Sequence, residues 1–337
     1  RSDEMNGHWA RIATLVIKRP WQVLVSGITV LLIAASSLLW LQLTPTSLQA
    51  IPRDIESAKG LNFVMEHVGP GLVTPTVIVI DYGKPGQAAL PENVKLRTKL
   101  GLSVITDESV LGGSTDSTPQ YIDQTGRYQR IFIMGISEFG SEESKAFIKR
   151  LRDVYIPQSE LSKKATIYVG GAAAQGVDFL NVVYGTFPYI FFAALAIAYF
   201  LLIRSFRSLI LPLVAVALDL ISLAATYGLL VAVFKFGFLS PILGTYQVPQ
   251  IEGWVPVFLF AVLFGLSMDY EVFIVSRMRE ARDKGESTTD AIKEGLAHTG
   301  GVVTAAAIIL VGALGGLANG HIASLQELGV GLALGIL

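Results

Sequence analysis

Residues 254–276 read WVPVFLFAVLFGLSMDYEVFIVS, and this stretch decides the fold. It is apolar throughout except for Asp269, Glu271 and a few small polar residues. At about 1.5 Å per residue in a helix it is long enough to cross the roughly 30 Å hydrocarbon core of a bilayer. Working outward from it, the ranges 21–43, 185–203, 209–234 and 300–318 have the same character, and a sixth apolar stretch runs from Ile322 to Leu337. That sixth stretch is too short to cross, so a full protein is expected to continue beyond it. The range 21–43 is longer than the apolar core of a signal peptide, and no small-residue cleavage site follows it, so it reads as a retained span.

Positive charge sets the expected orientation. Arg11, Lys18 and Arg19 precede the first span, and Arg204 and Arg207 lie between the second and third. Arg277, Arg279, Arg282, Lys284 and Lys293 lie between the fourth and fifth. Every second loop is therefore basic, which puts the amino terminus in the cytoplasm and residues 44–184 outside it. Within residues 1–20, Trp9, Ile12, Ala13, Val16 and Ile17 recur at helical spacing, predicting a helix that lies in the cytoplasmic interface. Residues 21–43 form the first span, 185–337 a five-span bundle, and the cytoplasmic loop 277–298 reads as a short surface helix.

Composition narrows the function classes. Of 337 residues, 52% are hydrophobic and only 16% charged, against about 25% in a typical soluble domain. A net charge of -1 gives no bulk attraction to nucleic acid. With no cysteine and four scattered histidines, neither a thiolate site nor a zinc site is expected. No Gly-x-x-x-x-Gly-Lys-Ser/Thr pattern occurs, so no nucleotide-driven step is expected, and no cofactor. No grouping of Ser, His and Asp with motif context supports an enzyme.

Residues 44–184 are as polar as a soluble domain. Helical spacing over 53–67 leads to Gly69-Pro70-Gly71, followed by the apolar strand Val77-Ile78-Val79-Ile80 and a helix over 91–100. Further on, 128–136 reads as a strand, 141–151 as a helix, and 166–169 as a strand running into Gly170-Gly171. The range 112–119 reads as a loop, and 123–126 as a turn between antiparallel strands. Strands alternating with helices predict a small α+β domain of split βαβ type.

The chemistry is expected where charge is expensive. An ionised residue at mid-bilayer costs about 2.5–3.5 kcal/mol even on lenient scales. Asp219 lies about 15 Å past the cytoplasmic start of the third span, and Asp269 about 12 Å from the cytoplasmic end of the fourth. The two are therefore expected at similar depth, where they can face each other. Ser222 and Thr226 share a helix face with Asp219. Gly265 sits one turn before Asp269, and Gly312, Gly315 and Gly316 offer similar close approach in the fifth span, where Thr304 adds a hydroxyl. A low-dielectric site favours the neutral form of a carboxyl group, which reversible proton binding requires. Tyr270 can donate to such a carboxylate on a neighbouring helix. The bland alternative makes these acids helix-to-helix ties. Glu271 reads as an interface residue pairing with Arg277 or Arg279, and Ser267 as packing.

The run Phe264-Gly265-Leu266-Ser267-Met268-Asp269-Tyr270-Glu271-Val272-Phe273, continuing to Ser276-Arg277-Met278-Arg279-Glu280, resembles the signature of MMPL-type transporters of the resistance-nodulation-division (RND) superfamily. Gly300-Gly301-Val302-Val303-Thr304-Ala305-Ala306 and Glu327-Leu328-Gly329-Val330-Gly331-Leu332-Ala333 also resemble that family, as does the layout of one span, an outer domain and five more spans. The resemblance implies an α-helical polytopic protein of the bacterial inner (plasma) membrane, with six spans per repeat and an extracytoplasmic α+β porter-type domain of βαβ units. It implies a proton-motive-force-driven exporter of lipids or other hydrophobic compounds, with the relay carried by Asp269 and Tyr270. Family members usually hold two repeats. The Asp-Tyr-Glu form resembles the second, so this chain is expected to be a carboxy-terminal repeat or a half-size homologue that pairs with a second repeat or another protomer. Asp219 is a stronger acid than the uncharged polar residue expected there and can extend the relay. The rival readings are a non-transporting scaffold or assembly protein and a protein-export accessory factor.

Overall fold

The computed structural model describes residues 8–45 and 55–337. In chain order its main elements are α1 (His8–Lys18), α2 (Pro20–Ala35, prolonged by a 3-10 stretch Ser36–Trp40), α3 (Glu56–His67), β1 (Thr76–Asp81), α4 (Pro91–Ile105), β2 (Val110–Ser114), β3 (Tyr128–Gly135), α5 (Glu142–Arg150), β4 (Thr166–Gly170), α6 (Ala172–Phe206), α7 (Ile210–Phe234), α8 (Trp254–Asp283), α9 (Thr288–Gly315) and α10 (Ala323–Ile336). They form two units: Thr44–Gly185, and Arg1–Leu43 together with Thr186–Leu337.

In the unit Thr44–Gly185, four strands make one antiparallel sheet in the order β2-β3-β1-β4. With α4 joining β1 to β2, and α5 between β3 and β4, the chain order is β-α-β-β-α-β, the split βαβ arrangement. The apolar run of β1 suits its central place, with Ile78 opposite Ile131 on one side and Val169 on the other. Side chains alternate between the faces of a strand, so Ile78 and Ile80 of β1 and Ile131 and Ile133 of β3 point the same way. They pack with Leu100 and Val104 of α4 and Phe147 and Ile148 of α5. Ser141 caps α5 by accepting the Ser144 N–H, and the acids Glu142 and Glu143 open a helix that closes on Lys149 and Arg150, complementing its dipole.

Two expectations are corrected in this unit. The range 112–119 is not all loop, because Val110–Ser114 is an edge strand, paired to β3 with a register shift between Val110 and Gly112. Gly112-Gly113 lacks the β-branched residues that mark a strand, yet a Cβ on Gly113 would stand 3.0 Å from Ile133 Cδ1 and 3.2 Å from Ile105 Cγ2, so close packing favours glycine there. The second helix also runs further than 91–100, to Ile105. The start of the helix expected over 53–67 lies partly outside the described residues; the helix is described from Glu56.

Among the described residues, five helical segments are long and apolar enough to cross a membrane: Pro20–Trp40, Ala172–Phe206, Ile210–Phe234, Trp254–Asp283 and Thr288–Asn319. A shorter apolar helix, α10, follows. Central among them is α7, whose buried residues Pro212, Val216, Asp219, Leu223, Thr226 and Leu230 recur every three or four positions. Against it lies α2, so close that a Cβ on Gly228 would stand 2.0 Å from the Ala34 carbonyl oxygen. Lys235, just past α7, donates to the Trp40 carbonyl at 3.0 Å and to Gln42 Oε1 at 2.7 Å. The amphipathic α1 rests its Trp9 ring on Gly300 of α9 and buries Ala10 and Ala13, while Ile12 is exposed. The loop 277–298 holds no separate surface helix. Its residues continue α8 to Asp283 and begin α9 at Thr288, with Gly285 at φ +94° making the turn and Ser287 capping α9.

Candidate functional site

Helix phase sorts the polar residues of α7 and α8 into two groups. Asp219 lies on the buried seam of α7, about 13 Å along the helix from Ile210, and is only 7% exposed. Its Oδ1 accepts a short hydrogen bond from Ser267 Oγ of α8. Its Oδ2 is buried and has no hydrogen-bond partner. Beside it is a cavity of about 30 Å³, lined by Asp219, Ser222, Leu223 and Thr226 of α7, Leu263, Phe264 and Ser267 of α8, and Gly335 of α10. Thr226 Oγ1 donates to the Ser222 carbonyl at 3.0 Å, leaving a lone pair for the cavity. Such a volume admits a water molecule.

One turn beyond Ser267, on the same side of α8, is Glu271. It is half-buried, and its Oε2 is shielded from solvent with no hydrogen-bond partner. Among the described residues it forms no ion pair with a basic side chain. Ser267 is therefore the direct partner of Asp219 rather than packing. Glu271 also does not pair with Arg277 or Arg279. Arg277 binds Glu280 at 2.9 Å, and Arg279 donates to the Ser205 carbonyl at 2.6 Å and approaches Asp283 at 3.9 Å.

Asp269 stands roughly half a turn from Ser267 and Glu271 around α8. The two aspartates accordingly do not face each other: Asp219 is buried against Ser267, and Asp269 is exposed. Exposed with it at three- and four-residue spacing are Phe258, Ala261, Gly265, Phe273 and Ser276. A Cβ on Gly265 would meet nothing within 4 Å, and the same holds for Gly301, Gly312 and Gly316, whereas Gly315 faces the Ala333 Cβ at 3.5 Å. Tyr270 is half-buried, and among the described residues no hydrogen bond joins it to another side chain. Thr304 bonds back to the Gly300 carbonyl of its own helix at 2.7 Å.

A further buried acid, Glu327 of α10, was not singled out from the sequence. It is 1% exposed and accepts the Glu252 N–H at 3.0 Å. Glu252 in turn accepts from Trp254 Nε1 at 2.8 Å, tying α10 to the start of α8. The i, i+4 spacing of Ser267 and Glu271 was the signal available for the other missed pair.

Residues 112–337 match the model of the MMPL family. Among curated relatives, the heme uptake protein MmpL11 of Mycobacterium tuberculosis (strain ATCC 25618 / H37Rv) is 28% identical over 330 residues, covering 97% of this chain and 33% of the relative. The mycolic acid-containing lipids exporter MmpL11 of Mycolicibacterium smegmatis is 28% identical over 335 residues, covering 97% and 34%. The trehalose monomycolate exporter MmpL3 of Mycobacterium tuberculosis (strain CDC 1551 / Oshkosh) is 27% identical over 352 residues, covering 100% and 35%. The chain thus spans about a third of the length of these curated relatives. With five span-capable helices and a family match running from the second strand to the last helix, this multi-pass membrane chain belongs to the MMPL family of the RND superfamily, transporters rather than enzymes.

Proposed function

We propose that the chain is one repeat of an inner-membrane exporter of lipids or other hydrophobic compounds, driven by the proton-motive force and using no nucleotide or other cofactor. The observation that carries this reading is Asp269. It is the one charged residue on the exposed stripe Phe258, Ala261, Gly265, Phe273 and Ser276 of α8, in a chain whose relatives include two named lipid exporters. A carboxylate facing hydrocarbon costs several kcal/mol and is retained where its charge is used. In the proposed cycle Asp269 takes a proton from the outside, with Tyr270 beside it, and Asp219 extends the relay. Neutralising the acid lowers the cost of moving it through the low-dielectric interior, so the helices shift between two arrangements. Release of the proton to the cytoplasm resets them.

A second repeat, or another protomer, packs on the stripe in this account. The Phe258, Gly265 and Phe273 face of α8 and the Val302, Ile308 and Ile309 face of α9 offer bulky and small residues to fit a neighbour, and Gly265 allows close approach. Residues 44–184 form the extracytoplasmic porter-like domain that handles substrate, and the amino terminus is cytoplasmic. The relative named for heme uptake keeps the substrate hydrophobic while leaving direction to experiment. A scaffold would tolerate Asp269→Asn with only a change in stability, and a protein-export accessory factor would show secretion defects with no lipid accumulation. The test is gradient-driven lipid transport by the intact protein in vesicles. Asp269→Asn should abolish it, as should a protonophore; transport unchanged by either would sink the proposal.

A further inference from the structure

Two of the membrane acids lie apart from the Asp269 stripe. Asp219 is more than nine-tenths buried, with one oxygen held by Ser267 and the other unpartnered beside the cavity. Glu271, one turn along α8, has an unpartnered oxygen of its own. The groups around them offer no counter-charge. Among the described residues neither carboxylate forms an ion pair, α2 carries no ionisable residue, α6 presents Leu202 and Phe206 to Val216 of α7, and α10 contributes Gly335. Asp269 lies off this face of α8, whereas Tyr270, three residues past Ser267, borders it. Two ionised carboxylates in such a place would each be desolvated and would repel each other, so the arrangement favours one proton between them.

We infer that Asp219 and Glu271 form a second proton station inside this repeat, off the Asp269 stripe of α8, with the cavity as its entrance. The inference rests on the proton-coupled reading above and deepens it. In the orientation proposed there, α7 runs outward from Asp219 through Ser222 and Thr226, whereas α8 runs inward from Ser267 to Glu271. The hydroxyls and the cavity therefore lie on the outer side of Asp219, and Glu271 on its cytoplasmic side. A proton arriving through cavity water converts the Asp219 carboxylate to the acid. Its transfer to Glu271 restores the Asp219 carboxylate, and loss of the proton to the cytoplasm restores Glu271. Ser267 positions Asp219 by donating to Oδ1, which leaves Oδ2 as the atom that takes the proton.

Infrared difference spectroscopy of the full chain in lipid vesicles, titrated with pH, tests this without requiring transport. A carbonyl band of a protonated carboxyl group should appear and vanish reversibly. It should be absent in Asp219→Asn, shifted in Ser267→Ala and Glu271→Gln, and retained in Asp269→Asn. Because the amide is isosteric, Asp219→Asn should fold; the shift in Ser267→Ala provides an independent reading through a residue that does not titrate. A band indifferent to Asp219→Asn overturns the inference. So does a band that sodium ions abolish at fixed pH, since the site would then hold a metal cation in place of the proton. Gradient-driven transport that persists without the band would remove this station while sparing the proposed function. The band without gradient-driven transport would do the reverse.

Discussion

Asp107 in the Thr44–Gly185 unit and Asp219 among the membrane helices are both buried carboxylates, satisfied in opposite ways. Asp107 receives Arg150 bidentately, at 2.8 Å on each oxygen, with the Tyr155 hydroxyl at 3.0 Å and the Ser109 N–H at 2.9 Å. Asp81 is gripped likewise by Arg127 at 2.7 and 2.8 Å, and Asp178 by Arg152 at 2.5 and 2.9 Å. Asp219 has one serine and an empty-handed second oxygen; Glu271 and Asp269 form no ion pair among the described residues. Charges that serve structure are neutralised by a guanidinium, which holds them ionised at every physiological pH. The acids among the spans lack such a partner, and in the proposed transport their charge is what is used.

The contrast can be broken from the structural side first. Arg150→Met strips Asp107 of its counter-ion and leaves a buried charge behind. With Arg150 38% exposed, the loss should be about 2–3 kcal/mol, below the roughly 3–5 kcal/mol of a fully buried broken pair. A denaturant midpoint of the Thr44–Gly185 unit within the intact chain reads it, and Asp107→Asn combined with Arg150→Met should recover part of the loss. Acid is the second lever. Arg150 holds the Asp107 carboxyl well below the usual carboxylate range, and Arg127 brings Asp81 down to about 2. Both are depressed in the folded state, so their contribution is complete above the unfolded value of roughly 4 and is lost as pH falls toward 2. The melting temperature of the Thr44–Gly185 unit should stay level down to about pH 4 on this account and then drop, and Asp81→Asn should flatten the drop.

On the membrane side the effects on stability should be smaller. Ser267→Ala removes the single donor to Asp219 and should cost about 1 kcal/mol. Asp219→Asn should cost still less, within about 0.5 kcal/mol, because the amide oxygen keeps the Ser267 bond and an uncompensated acid disappears. Thermal unfolding in detergent checks both. A loss of several kcal/mol in Asp219→Asn would make that acid a structural tie and erase the contrast.

Much of this was legible in the chain itself, for physical reasons. Spans need long uncharged runs, so 209–234 was found as a helix within a residue of Ile210–Phe234. The apolar Val77–Ile80 run announced a central strand, and the alternation of strands and helices pointed to the split βαβ topology. Asp219 stood out because acids are rare in such runs. What escaped was partner choice. Depth along a helix can be counted from its end, but which face meets which neighbour depends on the rotation of packed helices. Asp219 was thus set opposite Asp269, although Ser267 and Glu271 share the phase that meets it. Strand β2 escaped because Gly112-Gly113-Ser114 carries no local preference, and its pairing with β3 supplies the order.

The central claim is that the acid on the open stripe of α8 carries protons across the membrane. Proton flux into vesicles under an imposed pH gradient, compared between the intact protein and Asp269→Asn at matched insertion, tests it most directly. The account predicts flux that Asp269→Asn reduces to the leak of empty vesicles. Equal flux through both proteins would contradict it and leave Asp269 as a residue that only joins helices.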